Sequence, residues 1–286
     1  MAGNQAAGNY ETGAIEVAAG VYAFIQAGGS TDAGFIVDDD GVVVIDTLMT
    51  ASLANQLMAE VRRVTDAPVR HIVNTHWHGD HVFGNAVLPT VPIIAHDTCR
   101  DDLLSEWDSH REFLRGLYPA LWPEMEPLEA TPPNVTFNES LTLHLSSRSV
   151  QLLYFGRAHT RGDVVAYLPD VGVVFAGDIA FHKYIPNARD GFPADWVDAA
   201  AALEGIGAEV IVPGHGPLGG NAELAEMREC LAMIVDQVNR SFERGMSEAQ
   251  ARDALKLGAF ADWGRQEDRL PTLVDRAYRE LRGEFS

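Results

Sequence analysis

The stretch Thr75-His76-Trp77-His78-Gly79-Asp80-His81 places three imidazoles and a carboxylate within six residues, directly after the apolar run Val69 to Val73. Neutral imidazole and carboxylate are the usual ligands of zinc and related transition metals. Side chains of an extended segment repeat every two residues, so His76 and His78 project to one side. Asp80 and His81 then fall at the following turn or helix start, from where they can face a second metal at another angle. A solvated His-rich turn is the alternative, but such a cluster without a metal gains little stability.

Three later stretches repeat the theme. They are Gly156-Arg157-Ala158-His159-Thr160-Arg161-Gly162-Asp163, Ala176-Gly177-Asp178, and Pro213-Gly214-His215-Gly216, each following an apolar, β-like run. The H-x-H-x-D-H pattern at a strand end, followed in order by a His, an Asp and a His, resembles the metallo-β-lactamase-fold hydrolases. The resemblance covers residues 15 to 220.

That resemblance implies an α/β fold, an αββα sandwich of two mixed β-sheets face to face and flanked by helices. It also implies that His76, His78 and His159 hold one metal and Asp80, His81 and His215 a second, with Asp178 bridging the pair or ligating the second. Two divalent cations about 3.5–4 Å apart can share a hydroxide, bring its pKa toward neutrality and stabilise attacking and leaving oxygens. Seven nitrogen and oxygen ligands without a thiolate suit an open catalytic site better than a closed structural one. The expected cofactors are two divalent ions, zinc first, with iron or manganese as alternatives. Asp178 stands where some β-lactamases carry a thiolate ligand, which moves the chain toward the glyoxalase-II-like branch. Asp80, between the two imidazole sets, is the expected catalytic residue, binding the second metal and orienting the hydroxide.

The reaction expected is attack of a metal-bound hydroxide on a small, neutral or apolar/aromatic substrate: a lactam, thioester, lactone, or activated aryl ether or ester. A glyoxalase-II-like thioesterase is the alternative, although no glutathione-binding patch is identifiable. A mononuclear-iron persulfide dioxygenase is an alternative of another class, but it would leave the second ligand set superfluous. A complete ligand set argues against a non-catalytic binding protein.

Other residues frame this centre. Metal-bound histidines usually donate their second ring N–H to an oxygen acceptor. Asp46 and Asp163 are candidates for that role, or else strand-end turn residues, while Asn85 and Thr160 suit local hydrogen bonds. His182, Lys183, Tyr184 and Asn187 follow Asp178 on a loop expected to rim the metals, where they would touch substrate or polarise a carbonyl; an ordinary surface loop is the other reading. His71, His96, His110 and His144 have no expected metal role. Residues 97 to 133 read as a lid-like insertion, with a helix over 97 to 115 packing through Leu103, Trp107 and Leu114. In the Pro-interrupted run Leu117 to Met125, the residues Tyr118, Trp122 and Met125 would then cover the metals as a lid or form a homo-oligomer contact.

The elements that must position these groups are legible from periodicity. Strands are expected at 21–25, 33–38, 42–46, 69–74, 92–95, 140–145, 150–155, 164–168, 171–176 and 209–212. Helices are expected at 50–64, 80–87, 195–203, 221–244, 247–257 and 270–281. Residues 1 to 14 read as a disordered tail, 15 to 220 as the catalytic domain, and 221 to 286 as its C-terminal helical extension. With 41 acidic against 21 basic residues the net charge is −20, which disfavours nucleic-acid and anionic-membrane partners. Only two cysteines, no run of twenty apolar residues and no signal-like N-terminus lead to the expectation of a cytoplasmic protein acting on a small molecule.

Overall fold

The computed structural model describes residues 12–27 and 30–285. Two sheets lie face to face. The first has seven strands, β1 (Gly13–Ala18), β2 (Val21–Ile25), β3 (Ala33–Asp38), β4 (Gly41–Ile45), β5 (Val69–Val73), β6 (Ile93–His96) and β7 (Val135–Phe137), in sequence order across the sheet. Strands β1 to β4 form an antiparallel meander, and β4 to β7 are parallel. The second sheet runs β12 (Val210–His215), β11 (Val173–Phe181), β10 (Val164–Leu168), β9 (Ser149–Tyr154) and β8 (Ser140–His144), with only β11–β12 parallel. This is the mixed αββα sandwich that the resemblance implied.

Alternation divides the side chains between faces. Ile36, Val43, Ile45, Val73 and Ile94 meet Leu152, Val164, Ala166, Phe175 and Val212 between the sheets. Phe35, Val44 and Ile72 face outward onto α1 (Ala51–Val64), which buries Leu57, Met58 and Val61 at helical spacing. Thr50 caps α1 by accepting from the Leu53 amide. The outer face of the second sheet is covered by α5 (Pro193–Glu204), α6 (Asn221–Glu243) and α8 (Gln266–Leu281), with Trp196, Met227, Leu231, Leu273 and Tyr278 in that layer. The short α7 (Glu248–Ala254) begins at a Ser247 capping box. A fourth cluster joins α3 (Asp97–Leu117) and the one-turn α4 (Trp122–Met125) to Trp77 and Phe83, around α2 (Gly79–Val82).

Several boundaries differ from those expected. Gly13 and Ala14 are not tail but the start of β1, paired with Ile25 and Phe24; residues 1 to 11 lie outside the described residues. Strand β11 does not stop at Ala176. It bends at Gly177, whose φ of 51° suits glycine, and continues through Asp178 to Phe181 with shifted register against β12. A Cβ on Gly177 would lie 2.6 Å from Thr75 Oγ1, so the close approach of the two sheets here depends on the missing side chain. Strand β12 likewise runs on to His215.

Candidate metal centre

All the cluster residues stand at one edge of the sandwich. Asp46 follows β4, the His76-to-His81 stretch follows β5, His159 precedes β10, Asp178 lies on β11 and His215 ends β12. The Val164 amide donates to Thr75 O at 2.8 Å and ties the two sheets together at this edge. His76, His78 and His159 form one group whose potential ligand atoms lie within 4.8 Å of one another, and Asp80, His81 and His215 form another. Asp178 touches both. Its Oδ2 is 3.1 Å from His159 Nε2 and 3.3 Å from His215 Nε2, and its Oδ1 is 3.2 Å from His81 Nε2.

Each imidazole turns one nitrogen inward and engages an oxygen with the other. His81 Nδ1 donates to Asp46 Oδ2 at 2.7 Å, His78 Nε2 to Asp190 Oδ2 at 2.9 Å, and His159 Nδ1 to the Asn187 carbonyl at 2.6 Å. His215 Nδ1 donates to the Ser30 carbonyl at 3.1 Å, and His76 Nδ1 to Thr75 Oγ1 at 3.1 Å. Thr75 Oγ1 in turn donates to Asp46 Oδ2 at 2.7 Å, and the Thr75 amide to Oδ1 at 2.8 Å. Asp46 adopts φ 58°, a left-handed conformation that Asp tolerates better than most residues, and so faces both.

These partners fix tautomers, and the inward atoms then ask for a cation. A carbonyl only accepts, so His159 Nδ1 carries the proton and Nε2 is bare; a carboxylate at Asp190 does the same for His78. The two bare nitrogens, His78 Nδ1 and His159 Nε2, lie 2.8 Å apart. Lone pairs that close repel unless a metal ion or a shared proton lies between them. His76 Nε2, His81 Nε2 and Asp178 Oδ1 are buried without a hydrogen-bond partner, an arrangement that is costly unless something else satisfies them. Burial opposes ionisation of Asp80 and Asp178, but the surrounding histidines outweigh it and hold both carboxyls well below the usual range. Burial likewise disfavours charge on His81 and His215, yet Asp178 and Asp80 raise both imidazoles above their ordinary value. A field that raises proton affinity raises cation affinity as well. The residues present fit a divalent metal pair.

The supporting residues sort themselves. Of the two readings open for Asp46, the structure shows the acceptor of the His81 ring N–H, whereas Asp163 accepts from the Thr160 amide and hydroxyl and shapes that turn. Asn85 bonds Thr47 and Asn74. Asn187 serves through its main-chain oxygen. His182 is buried, its Nδ1 2.9 Å from the Pro217 carbonyl, so it braces the turn after His215 instead of rimming a cleft. Lys183 Nζ is paired with Glu226 of α6 at 2.5 Å. Tyr184 forms a parallel bridge with Gly264. Tyr118 is half-buried near Asp80 and Arg265, whereas Met125 is fully buried in the core beneath Trp77, a wall rather than a lid. Trp122 lies against the guanidinium groups of Arg111 and Arg115.

His110, with no expected role, accepts from the Gly79 amide at 2.9 Å and stacks on His78 with centroids 5.4 Å apart. Asp190 and Thr31, whose hydroxyl donates to Asp80 Oδ2 at 2.7 Å, escaped the sequence reading altogether. Neither belongs to a motif, and only the folded chain brings them in. No helix among the described residues is long and apolar enough to cross a membrane.

The sequence matches the metallo-beta-lactamase superfamily over residues 27–215. The linear primary-alkylsulfatase of Pseudomonas sp. (strain ATCC 19151) is 25% identical over 260 residues, which span 76% of this chain and 48% of that protein. The metallo-beta-lactamase type 2 of Bacillus cereus is 24% identical over 200 residues, 67% of this chain and 69% of its own. Among solved structures, the stereoselective inverting sec-alkylsulfatase Pisa1 from Pseudomonas sp. superposes with a TM-score of 0.74 at 18% identity, covering 96% of this chain and 51% of that one. That likeness is one of fold, and the chain spans about half the length of the alkylsulfatases it matches.

Proposed function

The chain belongs to the metallo-beta-lactamase superfamily, and from that premise we propose that it is a hydrolase using two divalent metal ions, zinc first, on a small organic substrate with an apolar or aromatic part. His76, His78 and His159 would hold one ion, Asp80, His81 and His215 the other, with Asp178 between them. When bound, such a pair makes water a nucleophile near neutral pH and stabilises charge on the leaving group. The protein's own part is orientation. Thr31 aims Asp80, Asp46 aims His81 and, through Thr75, His76; Asn187 and Asp190 aim His159 and His78.

One observation carries the reading: five imidazoles each turn one nitrogen into a cluster shared with Asp80 and Asp178 while an oxygen holds the opposite nitrogen. The persulfide-oxidising alternative with one iron gives no task to Asp80, His81 and His215, which are supported as carefully as the first set. Within hydrolysis, an alkyl sulfate ester is a second substrate class to set beside lactam, thioester, lactone and aryl ether. It is favoured by the alkylsulfatase similarity and by exposed Phe113 and Leu117 on α3, where Arg189 places its guanidinium 3.6 Å from the Phe113 ring centroid. An apolar tail with an anionic head would suit that surface.

The test couples native mass spectrometry of zinc-loaded protein to a hydrolysis screen over those bond classes. Two ions per chain and turnover of at least one class are expected. A single ion under saturating zinc would count against the two-metal reading, and a protein inert toward every class would overturn the hydrolase.

A further inference from the structure

Helix α8 lies about fifty residues beyond the family match, which ends at His215, and two of its arginines are buried without an ion pair among the described residues. Arg269 and Arg276 are 6% and 8% exposed. Seven residues apart, they share one helix face. Each donates to a main-chain carbonyl of the segment between β11 and α5: Arg269 Nη1 to Ile185 O at 2.7 Å, and Arg276 Nε to Gly191 O at 2.7 Å. Aromatic rings complete their surroundings, Phe181 at 4.8 Å from Arg269, and Phe285 at 3.7 Å and Phe192 at 5.4 Å from Arg276. Burying a guanidinium on one carbonyl and aromatic rings, with carboxylates acting only from beyond ion-pair distance, is costly, and an apolar side chain would pack there at less cost.

What lies between the two anchored carbonyls explains the expense. Asn187 O accepts from His159 Nδ1, and Asp190 Oδ2 accepts from His78 Nε2. We infer that residues 185–191 are a strap, pinned at both ends by Arg269 and Arg276, that sets the tautomer and aim of His78 and His159, so that the C-terminal helix is part of the first metal half-site. Arg269 and Arg276 are positioning residues, since neither touches the ligands. The inference rests on the metal reading above. It predicts an asymmetry: Asp80, His81 and His215 are held by Thr31, Asp46 and Ser30, none of them on the strap.

The experiment is stepwise zinc and cobalt titration of the metal-stripped full chain, followed by native mass spectrometry and the cobalt visible spectrum, with melting temperature measured alongside. Arg276→Met should weaken one of two binding steps by about tenfold or more, the scale at which outer partners of metal ligands act, and change the cobalt spectrum of that site. The other step should move by less than about threefold on the same scale. Arg276→Lys keeps a donor for Gly191 O and should restore most of the loss. Asp190→Ala should weaken the same step at least as much, and the double variant should be less than additive, because both act through His78. Unchanged affinities in Arg276→Met, or equal loss at both steps tracking the melting temperature, would overturn the strap. Wild-type protein binding no metal would overturn the metal reading and the strap together. A wild type binding one ion would overturn only the two-metal count, with Arg276→Met then weakening that ion.

Discussion

Asp80 Oδ2 accepts from Thr31 and lies 3.4 Å from His215 Nε2 and 3.6 Å from His81 Nε2. Its carboxylate thus sits in the second ligand group on a fixed hydrogen bond, the arrangement needed to align a nucleophile as well as a metal. Asp80→Asn keeps the size and one oxygen but removes the charge. Turnover at matched metal occupancy should fall by roughly two decades or more, in line with proton-handling groups; near-normal turnover would leave Asp80 a replaceable ligand. Gly214 is a sharper structural test. A Cβ there would stand 1.9 Å from Asp178 Oδ1, and Asp178 contacts histidines of both groups. Gly214→Ala should therefore lower occupancy of both ions while far-ultraviolet circular dichroism stays native. The candidate ligands were legible because each sits in a short motif after an apolar, β-like run. Their outer partners were not: Asn187 and Ser30 contribute carbonyls, which every residue possesses, and Asp190 reaches His78 across 112 positions of chain.

At the scale of elements, the run after α3 divides in two. Met125 is fully buried with Trp77 and Phe83, and its loss to alanine should cost about 2–5 kcal/mol, the usual range for a core methionine. Trp122 remains half-exposed between arginines. If it faces the substrate, Trp122→Ala should raise KM for an apolar substrate more than it lowers kcat. Unchanged kinetics with an altered oligomeric mass would assign it to a subunit contact. Periodicity located the regular elements well: β2, β3 and β10 begin and end where alternation placed them. It failed where the backbone departs from regularity. Strand β11 crosses a glycine in the left-handed region, β1 carries a bulge between Glu16 and Ala18, and β7 is only three residues long. The pairing of the sheets, β7 beside β6 and β12 beside β11, joins strands that no local pattern links.

For the whole molecule, the candidate metal centre is a polar cluster at the edge of a sandwich otherwise closed by apolar layers, and its state should govern global stability. Metal that binds only the folded chain stabilises it by about 4 kcal/mol at a thousandfold excess over Kd. For a domain of this size, that is a rise in Tm of roughly 10 °C. Chelation should reverse it. The pH dependence then carries a definite sign. In the metal-free protein the folded-state pKa values of His81 and His215 are raised by Asp178 and Asp80 against the opposing effect of burial. Their protonation therefore stabilises the fold fully below the unfolded imidazole value of about 6.5, and that contribution is lost as pH rises through the folded values. A metal must displace the same protons, so its affinity moves the other way and grows with pH. The gap between loaded and chelated melting temperatures should consequently widen as pH rises from the free imidazole value of about 6.5 toward the raised folded values of His81 and His215. Paired calorimetric scans across that range check it. A gap independent of pH would mean that His81 and His215 release no proton on binding, and the second ligand group would lose its support.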